Sequence, residues 1–249
     1  VNDGQFFAVF AAPPCSTFSI SRFFVPKSGK PGPPPVRNRK HILGLPDVPT
    51  THRRELLQAN AIVARTCKLL ACAFATGSQF ILENPVDRGD RSLPESYLDE
   101  NHGSIWQMPE IAELKSSTNS DLLHFSQCMF GSPTQKRTSL LFTAGFNEWL
   151  APLRRAECTH SSHRDMAGGD QYEGGEWNSS ITAAYPPDLN LFLAKSIASL
   201  HMGTMSTLAP KKPEPPLHQG DPAPPHVHPA LEPSTAPRER AITSSRPNS

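Results

Sequence analysis

The sequence predicts an α/β fold built on a parallel pair of strands, and three observations predict it. Two wholly apolar runs, residues 6–12 and 80–82, lack the in–out alternation of a half-exposed strand and suit strands covered on both faces. A long amphipathic stretch separates them, and strand–helix–strand closes as a parallel pair through a right-handed crossover. Each run also ends on residues that carry chemistry, Pro13-Pro14-Cys15 and Glu83-Asn84-Pro85. They stand at the carboxyl end of a strand, where open α/β sheets bind their ligands.

Taken in order, the first strand spans about residues 5–12. Residues 16–49 are rich in Gly, Pro and basic side chains, and no carboxylate occurs between Asp3 and Asp47, while Arg22, Lys27, Lys30, Arg37, Arg39 and Lys40 do. This pattern reads as a mobile basic loop, either a solvated linker or a segment that meets phosphates. Thr50 or Thr51 can cap a helix to about Ala75, with Leu56, Ile62, Val63, Leu69 and Leu70 on its apolar face. Gly77 stops it, and the strand to Leu82 follows. Residues 104–115 form a second helix. Residues 122–129 and 138–143 read as strands separated by Gly131-Ser132-Pro133-Thr134. Pro186-Pro187-Asp188 is a sound start for an amphipathic helix over 188–200.

Eleven of the 27 prolines follow Ala209, with hardly a large apolar residue among them. Such a stretch cannot bury enough surface to offset its ordering entropy. The chain therefore divides into a domain over 1–205 and a disordered Pro-rich tail over 206–249. A chain of 249 residues holds one domain with a real core. Its net charge of +1 argues neither for nor against nucleic acid, so that question rests on local charge. The five cysteines are scattered, odd in number and without C-x-x-C spacing. That argues against a disulfide framework and for a reducing, intracellular setting, nuclear or cytoplasmic. No run of bilayer-spanning length and no secretory leader is expected, hence no membrane partner. The opening on Val1, almost directly into a strand, looks like a fragment whose natural beginning lies upstream.

Cys15 is the candidate nucleophile. A cysteine ending an apolar strand is commonly a small buried hydrophobe, but the two prolines fix the backbone as it leaves the sheet, and Ser16-Thr17-Phe18-Ser19 supplies polar turn residues. Nearby cations would lower its pKa. Glu83 ends a very apolar strand, so its carboxylate needs a partner or a task. Cys158, His160 and His163 offer a thiolate and two imidazoles, yet zinc takes four ligands and no second cluster stands at the usual spacing. That segment reads as a polar surface loop, and no metal is assigned. The glycine pairs at 168–169 and 174–175 lack a strand-then-helix setting for phosphate binding and are assigned to loop.

Four segments, in order, resemble motifs of the cytosine carbon-5 DNA methyltransferase family. Ala12-Pro13-Pro14-Cys15-Ser16-Thr17-Phe18-Ser19 resembles its Pro-Cys nucleophile motif, and Glu83-Asn84-Pro85 its Glu-Asn-Val motif. Gln135-Lys136-Arg137-Thr138-Ser139 resembles Gln-x-Arg-x-Arg. Ala184-Tyr185-Pro186-Pro187 resembles the Asn-Ala-Val-Pro-Pro segment before the last helix. The resemblance implies a partial Rossmann-like methyltransferase sheet, its second half. It implies Cys15, Glu83 and Arg137 as catalytic residues, with Tyr185 and Pro186 at the S-adenosylmethionine site. A nucleic-acid surface would come from Lys27, Lys30, Arg37, Arg39, Lys40 and Gln135, with DNA favoured over RNA. The departures are specific. Ser139 stands where the second arginine belongs. Only fourteen residues precede Cys15, leaving no place for the Phe-x-Gly-x-Gly loop that cradles the cofactor. The stretch around Cys128-Met129-Phe130-Gly131-Ser132 also resembles methyltransferase-like segments of retroelement polyproteins. Two function classes follow: a methyltransferase acting through a Cys15 adduct, or an inactive remnant that binds nucleic acid or persists as a polyprotein segment.

Overall fold

The strand–helix–strand unit forms as expected. In the computed structural model, which describes residues 6–24, 32–163 and 184–208, β1 (Ala8–Ala11) pairs in parallel with β2 (Gln79–Pro85), from Ala8 opposite Gln79 to Ala11 opposite Leu82. The crossover is helix α1 (Thr50–Ala75). Pro49, not a threonine, occupies the capping position, so Thr50 begins the helix and the expected hydroxyl cap is not used. Leu56, Ala59, Val63, Cys67, Leu70 and Ala73 recur at helical spacing and are buried. Gly77 then takes φ +89°, a left-handed conformation that suits glycine after a helix. By length and composition α1 is apolar enough to cross a bilayer, with a mean hydropathy of 1.2 in its richest window. This corrects the expectation that no such run exists, although here the helix packs one stripe into the core.

After β2 the chain makes α2 (Pro109–Ser117) and then the pair β3 (Asp121–Ser126) and β4 (Arg137–Phe142). β4 inserts antiparallel between β2 and β3, giving the order β1-β2-β4-β3. The fold is α/β with a four-stranded mixed sheet, and the expected antiparallel edge is present. The expected strand over 122–129 is shorter. It ends at Ser126, whose N–H turns to the Ala156 carbonyl at 2.8 Å, and residues 127–130 wind into a 3₁₀ turn. The expected helix over 104–115 divides into a 3₁₀ turn at Ile105–Gln107 and α2, with Pro109 opening the latter. A short helix, α3 (Asn147–Leu150), follows β4. The last helix, α4 (Pro187–Leu208), runs past the expected boundary at 205. Residues 209–249, most of the expected tail, lie outside the described residues, as do both glycine pairs.

Strand alternation assigns the two faces of the sheet. Phe80, Leu82 and Leu141 pack with α1, α2 and Phe18 on one side. Ile81, Leu140 and Phe142 pack with Phe146, Leu150, Leu189 and Leu193 on the other. Glu83 follows the parity of Ile81 and therefore faces α4.

The basic loop expected over 16–49 is largely built into the domain. Residues 16–18 and 20–23 form 3₁₀ turns with Thr17, Phe18 and Arg22 buried, and Val36, Arg37 and Val48 are buried further on. Asp87, just after β2, ties these segments together. It accepts from Arg39 Nη2 at 2.8 Å, Gln107 Nε2 at 2.7 Å and the Gly89 N–H at 2.9 Å. His102 reaches the Phe18 carbonyl through Nε2 at 2.8 Å while its Nδ1 receives the Arg88 N–H at 3.0 Å. A carbonyl only accepts, so the proton sits on Nε2, and the 3.3 Å approach of Nδ1 to Asp87 is not a hydrogen bond.

Candidate active site

Two strand ends and two loops build the site. The chain leaving β1 passes through Pro13, whose carbonyl accepts from Asn84 Nδ2 at 2.9 Å. Asn84 lies on the α1 face of β2, so this bond pins the Cys15 segment to the strand that carries Glu83 on its other face. Cys15 then leads the first 3₁₀ turn, its carbonyl taking the Phe18 N–H at 2.9 Å.

Glu83 is buried. Tyr185, two residues before α4, donates its hydroxyl to Glu83 Oε2 at 2.7 Å. Oε1 has no hydrogen-bond partner among the described residues, and Lys136 Nζ stands 3.7 Å from it. Lys136 also lies over the Tyr185 ring at 5.3 Å, and Phe10 meets that ring edge-on at 6.1 Å. A buried carboxylate thus has one oxygen committed to Tyr185 and the other buried facing Lys136 without a hydrogen bond among the described residues, beside a thiol.

The electrostatics of Cys15 differ from expectation. Burial raises its pKa above the ordinary thiol value; Lys136 pulls it down, Glu83 pushes it up, and a backbone hydrogen bond lowers it. The net direction is upward, because desolvation outweighs the single cation. Tyr185 is also raised, by burial first and then by the Glu83 charge, so its hydroxyl stays a proton donor.

The structure brings Cys15, Glu83 and Tyr185 to one place and does not bring Arg137 there. Arg137 donates through Nη1 to Ser96 Oγ at 3.3 Å and reaches Glu95 at 4.0 Å through Nη2. It lines a cavity of about 370 Å³ beside His124 and Phe125 whose walls include neither Cys15 nor Glu83. Neighbours on an extended segment face opposite ways, so Lys136, one residue earlier, takes the place beside Glu83. That alternation was the available signal, and the arginine of the motif drew attention from it.

The expected nucleic-acid residues fare unevenly. Arg37 is a correction. Only 1% of it is exposed, and its guanidinium is spent on the Ile42 carbonyl (2.7 Å), Asn60 Oδ1 (3.0 Å) and Thr17 Oγ1 (2.9 Å) and stacked 3.8 Å over Phe18. Burial, with Arg22 nearby, lowers its pKa to about 10. It is a structural post, not a phosphate contact. Arg39 pairs with Asp87 yet keeps 41% of its side chain exposed, Lys40 is exposed, and Gln135 is half-buried. Lys27 and Lys30 lie outside the described residues. Pro186 is buried.

No protein-family model, curated protein or solved structure matches this chain.

Proposed function

We propose that this chain carries the base-activating half of a cytosine carbon-5 DNA methyltransferase. The observation that carries the reading is the buried Glu83 carboxylate, one oxygen held by Tyr185 and the other facing Lys136, set beside the Cys15 thiol. The sheet order supports it as well, since a parallel pair bordered by an antiparallel strand pair suits the second half of a Rossmann-like methyltransferase sheet.

Carbon-5 of cytosine is too weak a nucleophile to act unaided. In this reading the Cys15 thiolate bonds to carbon-6 and the ring electrons shift to carbon-5, while a proton taken up from solvent lies in the hydrogen bond between Glu83 and ring nitrogen 3, since neither the carboxylate nor the neutral ring nitrogen can donate one. Tyr185 fixes the far oxygen, and the other turns to the base. Lys136 balances charge as the thiol ionises. The base must leave its stack to reach the thiol, and Arg39 and Lys40 are the described cations placed to meet a backbone.

S-adenosylmethionine would supply an electrophilic methyl group to the activated carbon. Tyr185 and Pro186 do not fit a role in holding it, because the hydroxyl is committed to Glu83 and the proline is buried. No step through the donor rests on them. That commitment favours a second reading, an inactive remnant that keeps the pocket without the reaction.

A test needs no donor. After thiolate addition, carbon-5 can take a proton from water, lose its original hydrogen as a proton and expel the thiolate, regenerating cytosine with a solvent hydrogen. The full chain, incubated with cytosine-containing DNA in deuterated water, is expected to exchange hydrogen-5. Cys15→Ser abolishes this, and Glu83→Gln slows it by about 10²–10⁴-fold. No exchange with a folded chain supports the remnant, and exchange on RNA but not DNA overturns the substrate assignment.

A further inference from the structure

The segment read as a polar loop in the sequence acquires a fourth ligand in the fold. Cys128 sits in the 3₁₀ turn that leaves β3, and Cys158, His160 and His163 follow the 3₁₀ turn at Ala151–Arg155. The four donor atoms lie within 4.8 Å of one another. Cys158 Sγ is 3.7 Å from His160 Nδ1 and 3.2 Å from His163 Nε2. With Zn–S bonds of about 2.3 Å and Zn–N bonds of about 2.0–2.1 Å, neighbouring donors in a tetrahedral site are about 3.3–3.8 Å apart. The cluster is therefore within a small contraction of that geometry. The expectation of no metal sought the missing ligand nearby in sequence, whereas Cys128 stands thirty residues upstream and arrives through the β3–β4 turn.

We infer that Cys128, Cys158, His160 and His163 form a closed tetrahedral zinc site. Two thiols give up their protons to solvent and two neutral imidazoles donate lone pairs, so the bound ion is charge-neutral overall. Residues of both arms border a cleft of about 330 Å³, with Ser132 and Pro133 on its rim. Cys128 is buried and His160 exposed, which leaves the ion an entry path from solvent. Gly131, at φ +86°, makes the reversal after Cys128 that only glycine takes comfortably.

Four protein ligands leave no open position, so the role is structural. The ion would clamp the chain leaving the sheet to the turn between β3 and β4. That turn is held at its base by Gln127 N–H to the Lys136 carbonyl at 2.9 Å. Zinc at Cys128 would thereby steady the Lys136 segment beside Glu83, though the site does not depend on the methyltransferase reading.

The test is metal analysis of the full chain purified under reducing conditions from zinc-supplemented growth. About one zinc per chain is expected, and cobalt exchanged into the protein should show tetrahedral d–d bands with thiolate-to-metal charge transfer. Zinc should fall to background in Cys158→Ser and in His160→Ala, which alter a surface loop and spare the core should Cys128→Ser not fold. Cys72→Ser and Cys15→Ser should retain it, so this result stands apart from the fate of the Cys15 assignment. Absence of zinc from a reduced, folded chain that also takes up no cobalt overturns the site. So do full retention in the Cys158 and His160 variants, an octahedral cobalt spectrum, or a Cys128–Cys158 disulfide in the reduced protein.

Discussion

Cys15 sits between one cation and one anion, and the two pull its thiol in opposite directions. This gives a signed prediction at the residue scale. Alkylation of Cys15 follows the thiolate fraction, so its rate should rise with pH and reach half-maximum above the ordinary thiol range. Lys136→Ala removes the stabilising cation and should move the midpoint further up, slowing alkylation at a fixed neutral pH. Glu83→Gln removes the opposing anion and should move the midpoint down, speeding it. Peptide-resolved iodoacetamide labelling across pH checks both. Equal midpoints in the three proteins would mean that the groups do not share a site. In the proposed reading, a base hydrogen-bonded to Glu83 would blunt the anion and leave Lys136 to favour the thiolate.

At the scale of elements, the Asp87 cluster holds the segments around Cys15 and β2 in register. It joins the exit of β2, the loop at Arg39 and, through its preceding turn at Gln107, α2, while Arg88, next in the chain, reaches the turn after Cys15 through His102. Burial opposes the Asp87 charge, but hydrogen bonds from Gln107 and Gly89 and the Arg39 charge outweigh it and lower its pKa. A carboxylate lowered in the folded state contributes stability above its unfolded value, and that contribution is lost as pH falls through the folded value. Asp87→Asn should therefore cost about 1–3 kcal/mol at neutral pH and flatten the acid limb of the stability curve. Urea unfolding at neutral and acid pH measures both. An Asn variant equal to the parent at neutral pH would show the cluster to be ornamental.

Elements with strong local signals were legible in the sequence. Leu56, Val63 and Leu70 and the break at Gly77 defined α1, although Ile62 and Leu69, expected on its buried face, are exposed; the two unalternating apolar runs defined β1 and β2. Residues 16–49 were not legible as packed structure, because their burial comes from partners distant in sequence. Arg37 is matched by Thr17, Asn60 and backbone carbonyls, none of which a composition of Pro, Gly and Arg announces. The Cys15–Glu83 pairing was legible because both ride on strand ends. Lys136 was not, since its aim depends on which way an extended segment turns, and Cys128 was hidden thirty positions upstream of Cys158.

Across the whole molecule, the sheet segregates its two tasks. One face, under α1 and α2, is filled by aliphatic and aromatic side chains and supplies the core. The other, under α4, is apolar along most of its length and also carries the contact among Glu83, Tyr185 and Lys136. β1 pairs only with β2 among the described residues, so its outer side stands at the edge, with Phe10 partly exposed.

The central claim, that Cys15 is the nucleophile toward a cytosine ring, meets its most direct test in DNA containing 5-azacytosine. The ring nitrogen at position 5 withdraws electrons from carbon-6 and takes up the proton itself, so an adduct forms without any methyl donor. Mass spectrometry of the digested complex is predicted to find the nucleotide on the peptide carrying Cys15, with no adduct in Cys15→Ser and a slower one in Glu83→Gln. An adduct on Cys67, Cys72, Cys128 or Cys158 instead, or none at all from a folded chain, would contradict the account.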